Sequence, residues 1–244
     1  MVPVIDLHCD LLSYLATVKE ANPYKLDEIG AAVPHLQAGN VKLQVMAMYT
    51  DTKQGSTVLG LQQVKLYSDL GVLTHGFFSP TSCADLKDEK RISDGSCQIL
   101  LAIENASGFC EEGEPIDKGF ERLEHIIAMC GTPAYIIFTH HYENRFGGGN
   151  YTEVGLKPDG ELLLDYLDGK RIPVDLAHTS DNLAYGILNY LDKKNLDVPV
   201  LASHSNFRRI HGHVRNLPDE LVKELVQRKG LIGINFLRNY IHHD

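Results

Sequence analysis

The stretch VIDLHCDLL, Val4 to Leu12, places Asp6, His8 and Asp10 at every second position among apolar neighbours. Residues two apart on a β-strand point to the same side. His8 and Asp10 therefore share one face, with Asp6 beneath them, while Ile5, Leu7, Cys9 and Leu11 take the other. An imidazole and a carboxylate at the end of a buried strand can hold a proton or a metal ion. Four further runs end alike: LLAIEN at Glu104, IIFTHH at His140 and His141, VDLAH at His178, and VLASHS at His204. Burying several ionisable groups in one cavity is costly unless something pairs with them, and a divalent cation neutralises such a set. His8, Asp10, Glu104, His178 and His204 form a candidate ligand set for two metal ions. Imidazole nitrogen with carboxylate oxygen, and no thiolate, suits zinc, with manganese, cobalt and iron left open. Five protein ligands close two tetrahedral shells only if one carboxylate bridges, and positions left to water mark a catalytic rather than a structural site. Cys9 alternates out of the set, towards the helices.

The elements that must position these residues are legible as apolar, β-rich runs at 4–7, 41–48, 98–103, 134–139, 172–176, 198–202 and 231–236. Helix-like stretches at 57–70, 119–129, 162–167, 182–191 and 219–228 separate most of them. Asn216 is the expected cap of the last, with Pro218, Asp219 and Glu220 in its first turn. Strand followed by helix, repeated, predicts a mainly parallel sheet with helices outside it. No glycine fingerprint follows the first run, as a dinucleotide site would need. Polar residues ending several different strands are instead what an α/β, (β/α)8 TIM-type barrel gathers at one site. RFGGGN, Arg145 to Asn150, is expected to be a mobile loop, because three glycines resist helix and strand alike.

No linker divides the 244 residues, which are expected to form one barrel domain. The net charge of −9 argues against a nucleic-acid partner and supplies no basic patch for anionic membranes. No run is long and apolar enough to span a bilayer, and no secretory signal is visible. The five cysteines are odd in number and lack a CxxC pair, which predicts buried or incidental thiols in a reducing, cytoplasmic setting.

DLHCD, IEN, FTHH, DLAHTS, SHS and RNLPDELVKELVQRKGLIGINF, in this order, resemble the renal or membrane dipeptidase family of zinc metallopeptidases, family M19. The segment GLKPDGELLLDYLDGKRIPVDLAH is similar to the one that leads into that family's fifth strand. The pattern runs from residue 4 to about 236. The resemblance implies a metal-dependent barrel hydrolase that cleaves dipeptides, often with a D-residue at the C-terminal position. It implies that His8 and Asp10 bind one metal and His178 and His204 the other, with Glu104 bridging. His140 would contact the substrate and the tetrahedral intermediate, and Arg215 would hold the substrate's carboxylate. His140 and Glu104 are thus the candidate catalytic residues, while His141 is expected to be a loop residue. A hydroxide bridging the two cations would attack the scissile carbonyl. A well-aimed donor such as His140 commonly contributes roughly 2.7–4 kcal/mol. The resemblance also implies a homodimer, without a legible interface.

The family's eighth strand, with an aspartate that handles the proton of the bridging water, has no counterpart before the sequence stops. Asp244 lacks the strand that would present it and is not given that role. The expectation is a C-terminally truncated record, with roughly 60–100 residues missing, judged from typical barrel length. Two other readings share many of these residues. One is an amidohydrolase acting on N-acyl amino acids, cyclic amides or β-lactams. The other is a degenerate, non-catalytic metal-binding barrel.

Overall fold

The computed structural model describes residues 2–87 and 95–242; Asp244 lies outside the described residues. The chain divides into two compact units, Met1–Glu104 with Gly108–Ala134, and Asn105–Ser107 with Tyr135–Asp244.

In the first unit, strands β1 (Val4–Cys9), β2 (Val41–Tyr49), β3 (Phe78–Pro80) and β4 (Cys97–Glu104) pair in parallel in the order β1-β2-β4-β3. The three-residue strand β3 carried too short an apolar signal to be expected. Strand β4 is buried at every position, which is why CQILLAIE reads as a continuous apolar run rather than an alternation. Its register against β2 is unbroken and places Tyr49 opposite Glu104. Helices α1 (Leu11–Thr17), α2 (Val33–Ala38), α3 (Ser56–Leu73) and α4 (Ile116–Cys130) complete the unit. Helix α3 buries Gly60, Val64, Tyr67 and Leu70, one stripe at helical spacing. The Tyr67 hydroxyl donates to the Ile99 carbonyl at 3.0 Å, tying that stripe to β4.

In the second unit, β5 (Ile136–Ile137), β6 (Val174–Asp175) and β7 (Val200–Leu201) are also parallel neighbours. They are shorter than the apolar runs containing them because Pro173 and Pro199 stand directly before β6 and β7. A proline cannot donate to a ladder, yet the carbonyls of Pro173 and Pro199 accept from Ile136 and Val174. Helices α5 (Pro158–Leu167), α6 (Asp181–Lys194) and α7 (Asp219–Gln227) follow the strands. Ser180 caps α6, its Oγ accepting from the Leu183 amide at 2.9 Å.

Two expectations are corrected here. The run 231–236 forms no extended strand, only a single parallel bridge between Ala202 and Ile232. The run keeps backbone bonds at its start, Leu231 O and Gly233 O accepting from Ala202 N and Ser205 N and Gly233 N donating to Ala202 O, but beyond them Asn235 N donates to Asn206 Oδ1 and Leu237 N to Asn235 Oδ1. Asn216 does not cap α7: Pro218 holds the cap position, with no side-chain cap bond, and Asn216 Nδ2 donates to the carbonyls of His211 and Tyr240, both at 2.9 Å.

Candidate metal centre

In the first unit the HxD alternation does what strand geometry requires. His8 is the penultimate residue of β1 and Asp10 stands at the start of α1. The Nε2 of His8 lies 3.2 Å from Glu104 Oε2 and 3.6 Å from Asp10 Oδ1. Glu104 is only 3% exposed, at the C-terminal end of β4. Asp6 Oδ1 accepts from the His8 amide at 3.1 Å and so anchors the ligand strand. Cys9 faces away: its Sγ lies 3.4 Å from Met46 Sδ, and burial pushes its thiol far up. Tyr49, which sequence reasoning missed, has its phenol pushed up by burial, by its bond to Asp51 and by the nearby Glu104 and Asp10 charges. Its only signal in the sequence was its place at the end of a strand.

In the second unit His140, His178 and His204 follow β5, β6 and β7 in turn. The Nε2 atoms of His178 and His204 face each other at 3.0 Å. Two imidazole nitrogens this close share either a proton or a cation. Desolvation, followed by the Arg215 charge, holds His178 well below the usual histidine range, so its ring is neutral and a competent ligand. His204 Nδ1 lies 2.7 Å from Ser203 Oγ, which orients the ring with Nε2 turned to His178. Buried Asp175, at the end of β6, accepts from the amides of Ala177 and Ser203, each one residue before a histidine of the pair. Its role could not be read from VDLAH alone.

His178 has φ +63°, a left-handed conformation that is uncommon outside glycine. Its carbonyl is held at 2.9 Å by the Asn150 amide and at 3.3 Å by Thr139 Oγ1. The segment that supplies Asn150 is the glycine-rich one, and it is not a free loop: Phe146 to Asn150 are buried. Gly148 O accepts from Ser180 N, and Tyr151 N donates to the His141 carbonyl. The three glycines mark close approach rather than mobility. A Cβ on Gly149 would stand 2.1 Å from the His140 carbonyl oxygen.

His141 lies outside any helix or strand, as expected of a loop residue. Its Nδ1 lies 3.0 Å from Asn150 Oδ1 and its ring stacks on Tyr151, with centroids 4.7 Å apart. His140 lies 4.3 Å from His178, ring centre to ring centre. Arg215 is 3% exposed, with Nη1 donating to Ser205 Oγ at 2.8 Å and Nη2 to the His204 carbonyl at 2.9 Å. Each unit therefore gathers the candidates its own chain supplies, His8, Asp10 and Glu104 in the first, His140, His178, His204 and Arg215 in the second. Nitrogen and carboxylate oxygen donors and a neutral buried imidazole fit a divalent metal cation. Among the described residues no helix is long and apolar enough to cross a membrane.

Dipeptidase aclJ of Aspergillus oryzae is 24% identical over 260 residues, 98% of this chain and 58% of that protein. The chain spans less than two thirds of the length of the first curated relatives it matches, 59% and 58%. Among solved structures, the dipeptidase AC, a metallopeptidase of family M19, superposes with a TM-score of 0.81 at 20% identity, covering all of this chain and 75% of that one. A metallopeptidase from Rhodobacter sphaeroides, liganded with a phosphinate mimic of the dipeptide L-Ala-D-Ala, gives 0.78 at 18% identity, covering 98% and 75%. These likenesses show the fold, the α/β class of TIM-barrel type that the alternating runs predicted. The sequence profile described as membrane dipeptidase (peptidase family M19) matches residues 1–244, and the chain belongs to that family.

Proposed function

We propose that the protein is a metal-dependent dipeptidase that hydrolyses the peptide bond of dipeptides, with a D-residue accepted at the C-terminal position. The observation that carries this reading is the 3.0 Å opposition of two imidazole nitrogens, His178 and His204, beside a buried arginine bonded to the His204 carbonyl. A cation-binding pair next to a carboxylate-binding group is what a small peptide with a free C-terminus requires. Family membership supports the same activity, and the L-Ala-D-Ala mimic bound by the Rhodobacter sphaeroides protein supports the D-residue.

In this reading His8, Asp10, Glu104, His178 and His204 would hold the zinc ions. When bound, such ions would supply an ionised water at neutral pH and a Lewis acid for the scissile carbonyl. The chain's own residues do the rest. His140 donates to the carbonyl oxygen as charge develops there. Arg215 takes the substrate's carboxylate with a planar fork, pre-oriented by its bonds to Ser205 and His204. The neutrality of His178 keeps a lone pair available to metal across the physiological range. The five cysteines carry thiols, which supports a reducing compartment such as the cytoplasm. The homodimer implied by the family is read out by light scattering.

The test is turnover of Ala-D-Ala and Ala-Ala by the zinc-loaded protein, with N-acyl amino acids and carboxylate-free amides as comparison substrates. Dipeptides should be cleaved fastest. Zinc bound at full stoichiometry with no turnover of any amide would favour the non-catalytic barrel instead.

A further inference from the structure

His140, His141 and His178 each offer one ring nitrogen, and these nitrogens all lie within 4.8 Å of one another. A tetrahedral zinc ion with bonds of about 2.0–2.1 Å holds its nitrogens roughly 3.4 Å apart, so shifts of about an ångström close such a set. The three rings are already in contact, with centroids 4.0 Å apart for His140 and His141 and 5.0 Å for His141 and His178. His141 also has the outer support of a metal ligand. A ligating histidine turns its other ring nitrogen to an acceptor that fixes tautomer and orientation, and His141 Nδ1 faces Asn150 Oδ1 at 3.0 Å. A proton on Nδ1 leaves the Nε2 lone pair for a cation. Tyr151 stacks on the ring from one side, and its amide holds the His141 carbonyl from behind.

We propose that His140, His141 and His178 form an alternative seat for a zinc-like divalent cation, sharing His178 with the seat that His178 and His204 provide. The proposal rests on the reading of His178 and His204 as metal ligands and adds His141 to it. Both seats draw on the ring of His178, so they compete for it. They also differ in consequence. A cation held by His140 removes from the substrate the donor assigned to its carbonyl oxygen, so occupancy of the second seat inhibits.

Cobalt(II) added to the metal-free full chain is the probe, with bound metal counted after equilibrium dialysis and the ligand set followed by its visible absorption. His204→Ala should keep the wild-type count, with a changed spectrum as the ion moves to three imidazoles. His204→Ala with His141→Ala should fall one equivalent below it. His204→Gln and the corresponding pair with His141→Gln repeat the comparison, and circular dichroism selects the folded variants. Loss of the equivalent in folded His204→Ala overturns the alternative seat alone. So does retention of the wild-type count in the double variant. A wild-type chain that binds no metal overturns both this seat and the dipeptidase reading beneath it.

Discussion

Replacing Gly149 by alanine is the sharpest perturbation of the second unit, because it adds one methyl group and touches no candidate ligand. The new Cβ would lie 2.1 Å from the His140 carbonyl oxygen, 2.3 Å from the His141 carbonyl carbon and 2.5 Å from the Tyr142 amide nitrogen. All three are backbone atoms, so no rotamer change relieves the overlap. Either the glycine segment or the His140–Tyr142 backbone must retreat by about 1 Å, the scale of misplacement that costs roughly 10²-fold in rate. Overpacking of this kind costs typically about 1–3 kcal/mol, which for a chain of this size lowers Tm by roughly 2–12 °C. The retreat also strains the antiparallel bridge between Gly149 and Thr179 and the Asn150 bond to the His178 carbonyl. Gly149→Ala should therefore lose about 10²-fold in kcat/KM for a dipeptide while remaining folded. Gly30→Ala is the control: a Cβ there meets nothing within 4 Å, and the change should be neutral or stabilising by about 0.4–1 kcal/mol. Thermal melts and steady-state rates decide. A Gly149→Ala protein with the wild-type Tm and kcat/KM would show that the segment yields freely and does not brace the site.

Arg215→Met should raise KM for dipeptides steeply and leave any hydrolysis of carboxylate-free amides unchanged; equal losses on both would refute the carboxylate assignment. The same variant abandons Ser205 Oγ and the His204 carbonyl, so a stability loss of about 1–3 kcal/mol should accompany it in urea titrations. Chelation should abolish turnover, and zinc restored to about 100 times its Kd should raise stability by about 2.7 kcal/mol per site, visible as a thermal shift; an unchanged Tm would count against metal binding. Cys97, pushed up to about 12 chiefly by burial, stays a protonated thiol at pH 8 and should resist iodoacetamide until the protein unfolds, whereas exposed Cys83 labels first. Mass spectrometry that found Cys97 modified in the native protein would overturn its placement in the core.

What could be read from the sequence depended on whether a residue's role is local. The period-two alternation at His8 and Asp10 is a property of six consecutive residues, and it survives as the 3.2 Å and 3.6 Å contacts of the His8 ring. Glu104, His178 and His204 were legible as strand-end residues because the runs before them are apolar and β-branched. The misreadings and omissions all concern residues whose partners lie elsewhere in the chain. His141 is the loop residue it was expected to be, and what the sequence left out is the partner of its Nδ1, Asn150, nine positions on. Asn216 has the type and place of a cap, but carbonyls at His211 and Tyr240 claim its amide. The run 231–236 has strand composition and keeps three backbone bonds to Ala202 and Ser205, yet Asn206 takes the Asn235 amide where a longer ladder would continue.

The glycine-rich segment shows why such cases share a cause. Glycine gives a chain freedom in isolation, and it also lets two backbones approach as no other residue can. Composition reports the first property, and only the packed structure reveals the second. Here the close approach matters to chemistry, because the segment's amides and carbonyls hold His178 in a left-handed backbone that would otherwise cost about 1–3 kcal/mol. None of these restraints uses a ligating nitrogen of His178 or His204. The carbonyl of His178 is tied to Asn150 and Thr139, the second nitrogen of His204 to Ser203, and the amides before both histidines to Asp175. The imidazole pair is thus aimed by the protein rather than by the ion it would receive. Metal removal should accordingly lower Tm without reorganising the pair, and histidine ring signals that keep their contacts in the metal-free protein by NMR would bear this out.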